Sequence, residues 1–146
     1  MSEAVCTLLG YALLLLAIRR EARRDAARIA LGRHIDHARG ALRRSAWMAP
    51  AAVLLMAGRI GWSGGWFLTV PELKMLALCC LLCMALWWLL FDLLLNRLRG
   101  LPWGYTGGGD NQGDAVADNV LEAMPAWARL PVKLLLVALF AWLVYR

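Results

Sequence analysis

A chain of 146 residues is long enough for one ordinary domain, yet 62% of its residues are hydrophobic and its mean hydropathy is +0.59. That leaves too little polar surface to coat a globule, which excludes an ordinary soluble domain and makes a lipid bilayer the expected solvent. The formal net charge of +6 is concentrated, with nine arginines between residues 19 and 45.

Four apolar stretches dominate the chain, near residues 2–18, 46–62, 72–95 and 127–145. A helix crosses about 30 Å of hydrocarbon with about 20 residues, and shorter spans are tolerated by snorkelling flanks and local thinning. Each stretch comes close to that length. The expected fold is therefore all-α: a single polytopic transmembrane domain of four spans.

The first stretch is apolar from Met1 to Ile18 except for Ser2, Glu3 and Thr7, and stops at Arg19-Arg20. No cation precedes it and no small-residue cleavage site precedes the arginines, so it reads as a retained anchor rather than a signal peptide. Residues 19–45 form the first charged connection. Glu21, Asp25 and Asp36 each stand three residues before an arginine (Arg24, Arg28, Arg39), a spacing that favours a solvated helix. Leu31, Ile35, Ala38 and Leu42 add a narrow apolar stripe. A basic helix with a thin apolar face lies on anionic headgroups, and Arg19, Arg20, Arg23, Arg24 and Arg28 are the expected membrane-surface contacts. The plainer reading is that these arginines only set topology. Nucleic acid is not an expected partner, because no aromatic residues interleave the cations for base stacking. His34 and His37 lack a third ligand on their face, since Asp36 points elsewhere, so no metal is expected.

The second stretch opens after Ser45, a fitting N-cap, carries Pro50 in its opening turns and breaks at Gly61 to Gly65. Its one charge is Arg59. A short uncharged connection, residues 62–71, leads to the third stretch, where Pro71 suits a first helical position and apolar residues run from Met75 to Phe91. Cys79, Cys80 and Cys83 read as small apolar residues at a packing seam. With Cys6 they make no disulfide framework.

The second charged connection, 96–126, is Gly-rich and then acidic, with Asp110, Asp114, Asp118 and Glu122. From Asp114, the spacing of Val116, Val120 and Met124 predicts a short interfacial helix ending at Pro125. A calcium loop beginning at Asp110 would want Gly sixth and Glu twelfth, and meets Ala115 and Leu121 instead. Nor does the glycine triplet precede the Lys-Ser or Lys-Thr of a phosphate loop. The fourth stretch begins with Arg129, Pro131 and Lys133, whose cations are expected to snorkel to headgroups.

Lysine and arginine concentrate in 19–45 and 96–126, so the positive-inside rule places both segments in the cytoplasm and both termini outside. Trp62, Trp66, Phe67, Trp142 and Tyr145 then mark the outer interface, and Trp47, Trp103 and Trp127 the inner one.

Charges inside hydrocarbon usually have a partner or a role. Arg59 lies about 20 Å from the inner start of its span and Asp92 about 30 Å from the outer start of the next, at 1.5 Å per residue. They sit near opposite faces, so the expected partner of Arg59 is Glu72. Asp92 instead shares a face with Asn96, closely followed by Arg97, Arg99, Trp103 and Tyr105. This polar and aromatic cluster at the inner interface is the candidate binding site.

The run Trp87-Trp88-Leu89-Leu90-Phe91-Asp92, with Asn96, Arg99-Gly100, Trp103, Tyr105 and Gly107, resembles a segment of uncharacterised small integral membrane proteins of bacteria and prophages. The likeness covers about a fifth of the chain. It implies no activity and no cofactor, only that Asp92, Asn96, Arg99, Trp103 and Tyr105 act together in a multi-pass protein of the bacterial inner membrane. Three functions fit. The favoured one is a non-catalytic structural or accessory subunit that packs with other membrane subunits or with itself. The alternative is a small oligomeric pore, including a holin-like permeabilising protein, although the fourth stretch offers no polar face and the third only cysteines. A lipid-headgroup enzyme comes third, because no nucleophile stands beside a base.

Overall fold

The computed structural model describes residues 2–33, 37–61, 68–103, 105 and 124–146, and among these all regular structure is helical. Helix α1 spans Glu3–Ala30, α2 His37–Ile60, α3 Val70–Leu98 and α4 Ala126–Tyr145.

Local sequence accounts for most of the helix ends. Ser2 caps α1, accepting from the Val5 amide at 3.4 Å, with Glu3 in the first turn. At the other end Gly32 adopts φ 62°, and the amides of Gly32 and Arg33 return to the carbonyls of Ile29 and Arg28, each at 2.9 Å. That is a Schellman stop, which glycine permits without steric cost. α3 opens with a capping box in which Glu72 Oε2 accepts from the Thr69 amide at 2.6 Å and Thr69 Oγ1 accepts from the Glu72 amide at 3.5 Å.

The basic connection differs from expectation. Residues 19–45 are not one helix laid on a surface: α1 continues unbroken through Arg19-Arg20 to Ala30, and α2 begins at His37, nine residues before the expected start at 46. Alanine, arginine and glutamate favour helix about as well as leucine does, so nothing in the sequence stops α1 before Gly32. Pro50 consequently falls in the middle of α2 rather than in its opening turns. At 28 residues, α1 is about 42 Å long at 1.5 Å per residue. That exceeds a bilayer core by roughly 12 Å, and its arginine-rich half, with the start of α2, forms a helical hairpin beyond the apolar packing.

The helices run up and down. Gly58 of α2 packs against Thr7 and the Glu3 carbonyl of α1, and Gly10 packs against Ala51 and Leu55. Farther along, Glu21 meets Arg43. α1 and α2 are therefore antiparallel, and small residues let their backbones approach closely. α3 packs on both of them, and α4 packs on α3 with Lys133 opposite Asp92. Glu3, Arg59 and Tyr145 thus lie at one end of the bundle, the terminal end. Arg28, Leu98 and Ala126 lie at the other, the hairpin end.

Leu14, Ile18, Leu55, Met56, Leu82, Cys79, Cys83 and Trp87 fill the centre. Cys79 and Cys83 are fully buried there, in keeping with thiols that act as small apolar side chains.

α3, over Val70–Leu98, and α4, over Trp127–Tyr145, are long and apolar enough to cross a membrane. α1 and α2 do not reach that standard. Their apolar runs are cut short by Arg19-Arg20 and by Arg44 and Arg59, so among the described residues length and composition mark two of the four expected spans. Large apolar side chains nonetheless face outward on α1 (Leu8, Leu9, Leu15, Leu16) and on α4 (Leu134, Leu135, Leu139).

Candidate functional site

The hairpin end of α3 and α4 gathers the polar residues of the apolar helices. Asp92 is six residues from the end of α3 and Lys133 seven from the start of α4. In antiparallel neighbours this puts them at one depth, and Lys133 Nζ donates to Asp92 Oδ2. The lysine side chain is 4% exposed and the aspartate side chain 32%. The ammonium also sits 4.5 Å from the centroid of the Trp88 ring, where the negative face of the indole supports it. Lys133 was expected to snorkel to headgroups and instead is buried, because Asp92 and Trp88 together replace its water.

One turn on, Asn96 is buried and organises the chain that follows. Gly100, at φ 68°, reverses the backbone so that the Leu101 amide reaches the Asn96 carbonyl at 2.9 Å. The side-chain Nδ2 of Asn96 then donates to the Tyr105 carbonyl at 2.5 Å, with the Trp103 carbonyl at 3.5 Å. Arg99 lies 5.9 Å from the centroid of the Tyr105 ring. Arg129, on the first turn of α4, donates through Nε to the Met124 carbonyl at 3.1 Å.

These residues border a shallow, open crevice between α3, α4, Trp103 and Tyr105. Asp92, Trp103, Tyr105, Arg129 and Lys133 line its polar side and Leu89, Leu93 and Leu130 its apolar side. Of the cluster expected from sequence, Asp92, Trp103 and Tyr105 line this crevice, Asn96 holds its wall and Arg99 stacks on Tyr105. Arg97 is exposed on the helix. Arg129 and Lys133 are the residues that sequence reasoning missed. Their signal was equal distance from the shared end, which becomes readable only once α3 and α4 are known to be neighbours.

Arg59 is engaged at the terminal end. Its Nε donates to the Val144 carbonyl at 2.9 Å, and its guanidinium lies 5.0 Å from the centroid of the Tyr145 ring. The Tyr145 hydroxyl is 2.7 Å from that of Tyr11. Glu72, the expected partner, is not among the contacts of Arg59; its carboxylate caps its own helix through Thr69. A C-terminal carbonyl of α4 has no partner within its helix, so it competes well for a nearby guanidinium.

In the hairpin, Arg19, Arg20, Arg23 and Arg24 are exposed and Arg28 is half-buried. Arg20 lies 6.0 Å from the centroid of the Trp47 ring. Glu21 faces inward, with Arg24 at 3.9 Å and Arg43 at 3.4 Å. Asp25 is also buried, and its Oδ1 has no hydrogen-bond partner. Burial, then the neighbouring Glu21, raises the Asp25 carboxyl above its usual range, against the opposing pull of Arg28, Arg43 and Arg44. Asp25 and Arg28, the expected ion pair, are not in direct contact, although the Arg28 charge still acts on the Asp25 carboxyl.

Among the described residues no three metal-ligating side chains come together. His34, Ile35, Asp36, the Asp110–Glu122 acidic run and the expected interfacial helix from Asp114 lie outside the described residues, as do Trp62, Trp66 and Phe67. Compared with known proteins, the chain matches no family model, no curated protein and no solved structure.

Proposed function

We propose that this protein is a non-catalytic structural or accessory membrane protein of four spans, with both termini outside and the basic hairpin in the cytoplasm. The observation that carries this reading is where the buried charge goes. Lys133 is neutralised by Asp92, and Arg59 is held by a backbone carbonyl. Polar groups in the apolar helices thus tie one helix to another; they do not line a path through the bundle. A conducting pore within one chain would need a polar face, and a hydrolytic site would need a nucleophile beside its base.

The outward leucines of α1 and α4 support membrane immersion of those two helices, since a water-soluble monomer rarely leaves so many large apolar side chains uncovered. Arg19 and Arg20 stand where α1 leaves the apolar bundle, the position that the positive-inside rule assigns to the cytoplasmic face. We place the protein in a bacterial inner membrane, with bilayer lipid, anionic headgroups and other membrane subunits as its partners.

Purification of the tagged protein in mild detergent, with mass photometry and identification of what co-purifies, tests this function. Recovery of a stoichiometric foreign membrane subunit is the expected outcome. A homogeneous homo-oligomer that conducts ions in liposomes would replace the accessory reading with the pore.

A further inference from the structure

The charges toward the two ends of the bundle enclose a layer thinner than an ordinary bilayer. Along α1, the exposed Glu3 and Arg19 stand about 24 Å apart at 1.5 Å per residue. On the same rise, Arg44 and Arg59 of α2 are separated by about 22 Å, Lys74 and Asp92 of α3 by about 27 Å, and Lys133 and Arg146 of α4 by about 20 Å.

Contacts between helices bring these boundaries to common depths. At the terminal end Gly58 lies against the Glu3 carbonyl, and the neighbouring Arg59 donates to the Val144 carbonyl. At the hairpin end Glu21 meets Arg43 and Lys133 meets Asp92. The charge-free segments therefore coincide as one slab. Its outward side chains are apolar, among them Leu15 and Leu16 on α1, Leu81 and Met84 on α3, and Leu135 and Leu139 on α4. Spread over three helices rather than gathered in one patch, this exterior is of a kind that a fluid covers and a single docked subunit does not. Trp142 is 55% exposed near the terminal boundary and Trp127 80% exposed beyond Lys133, and such rings settle at headgroup level. On the outward face of α1, Leu15 and Leu16 give way within one turn to Arg19 and Arg20, the change expected where acyl chains meet headgroups.

We propose that this surface fits a thin bilayer: the bundle selects phospholipids of short acyl chain, whose hydrocarbon matches a belt of about 24 Å rather than the usual thickness of about 30 Å. The proposal rests on the membrane reading above. In a thicker bilayer the lipid must thin around the bundle, at a cost that grows with each Å of mismatch.

Reconstitution into phosphatidylcholines with monounsaturated chains of fourteen to twenty-two carbons, each competing with a brominated lipid that quenches tryptophan fluorescence, measures the relative affinity for each chain length. Wild type should bind the fourteen- and sixteen-carbon lipids about twofold more strongly than the twenty-two-carbon lipid, a modest ratio because the surrounding lipids share the mismatch cost. The double variant Arg19→Leu, Arg20→Leu moves the first cation of α1 to Arg23, about 6 Å farther along the helix, and should shift the optimum toward longer chains. An optimum at eighteen carbons or beyond in wild type overturns the proposal, as does an optimum that the double variant leaves unmoved. Absence of quenching by brominated lipid at every chain length refutes the membrane reading itself, whereas strong quenching without any chain-length preference refutes only the thin belt.

Discussion

Breaking the Lys133–Asp92 pair from its two sides should have unequal cost. Lys133 is 4% exposed, whereas a third of the Asp92 side chain remains open. Asp92→Leu leaves an ammonium enclosed by α3 and α4, and stranding a buried charge costs about 3–5 kcal/mol. The Trp88 ring, 4.5 Å away, offsets about 1 kcal/mol of this. Lys133→Met leaves a carboxylate that water and headgroups still reach, for a loss of about 1–3 kcal/mol. The double variant strands neither group and should lie within about 1 kcal/mol of wild type or above it. Unfolding in mixed micelles with increasing dodecyl sulfate gives all four stabilities, and the cycle isolates the coupling. Equal single-variant losses that simply add in the double variant would refute the argument, because they would mean that the pair is solvated and α3 and α4 do not enclose it.

Gly58→Ala would drive a methyl group into the Thr7 side chain, 2.8 Å from the Glu3 carbonyl oxygen, and should cost about 1–3 kcal/mol as overpacking; the same unfolding assay checks it, and no loss would mean that α1 and α2 cross elsewhere. Arg59→Leu removes the tie from α2 to the Val144 carbonyl and should cost about 1.5–3 kcal/mol. Spin labels on α2 and near residue 145 should then report a broader distance distribution, and an unchanged one would show the contact idle. For Asp25 the folded-state carboxyl is raised by burial, so the folded hairpin holds the proton more tightly than the unfolded chain does. The resulting stability is full below the unfolded value near 3.9 and is lost as pH rises through the folded one. Asp25→Asn should flatten that fall and strengthen the hairpin at neutral pH, read by amide exchange across residues 20–30; a steeper fall would mean that Arg43 and Arg44 stabilise the ionised form.

Several features were legible from residue order because their causes are local. Apolar runs require a helix in lipid, where every backbone group must be satisfied within its own segment. The capping box of Thr69 and Glu72 and the left-handed stops at Gly32 and Gly100 are equally local in cause, although Glu72 was expected to pair with Arg59 instead. The grouping of Asp92 with Asn96, Arg99, Trp103 and Tyr105 was also readable, since a helical turn and a short reversal keep all five within one stretch of chain.

Contacts between distant segments were decided by packing alone. No pattern near Arg19 announced that α1 would continue to Ala30, because good helix formers extend a helix until something stops it, and the payload of arginines does not. That extension turned an expected surface helix into a hairpin with Glu21 and Asp25 inside. Likewise Lys133 and Asp92 stand 41 positions apart, and Arg59 and Val144 stand 85 apart. A buried charge seeks whatever countercharge or carbonyl shares its depth, and depth becomes common to two segments only when their helices lie side by side. Residue order therefore determined which segments are helical and where most of them end, while the choice of partner for each buried charge waited on which helices became neighbours.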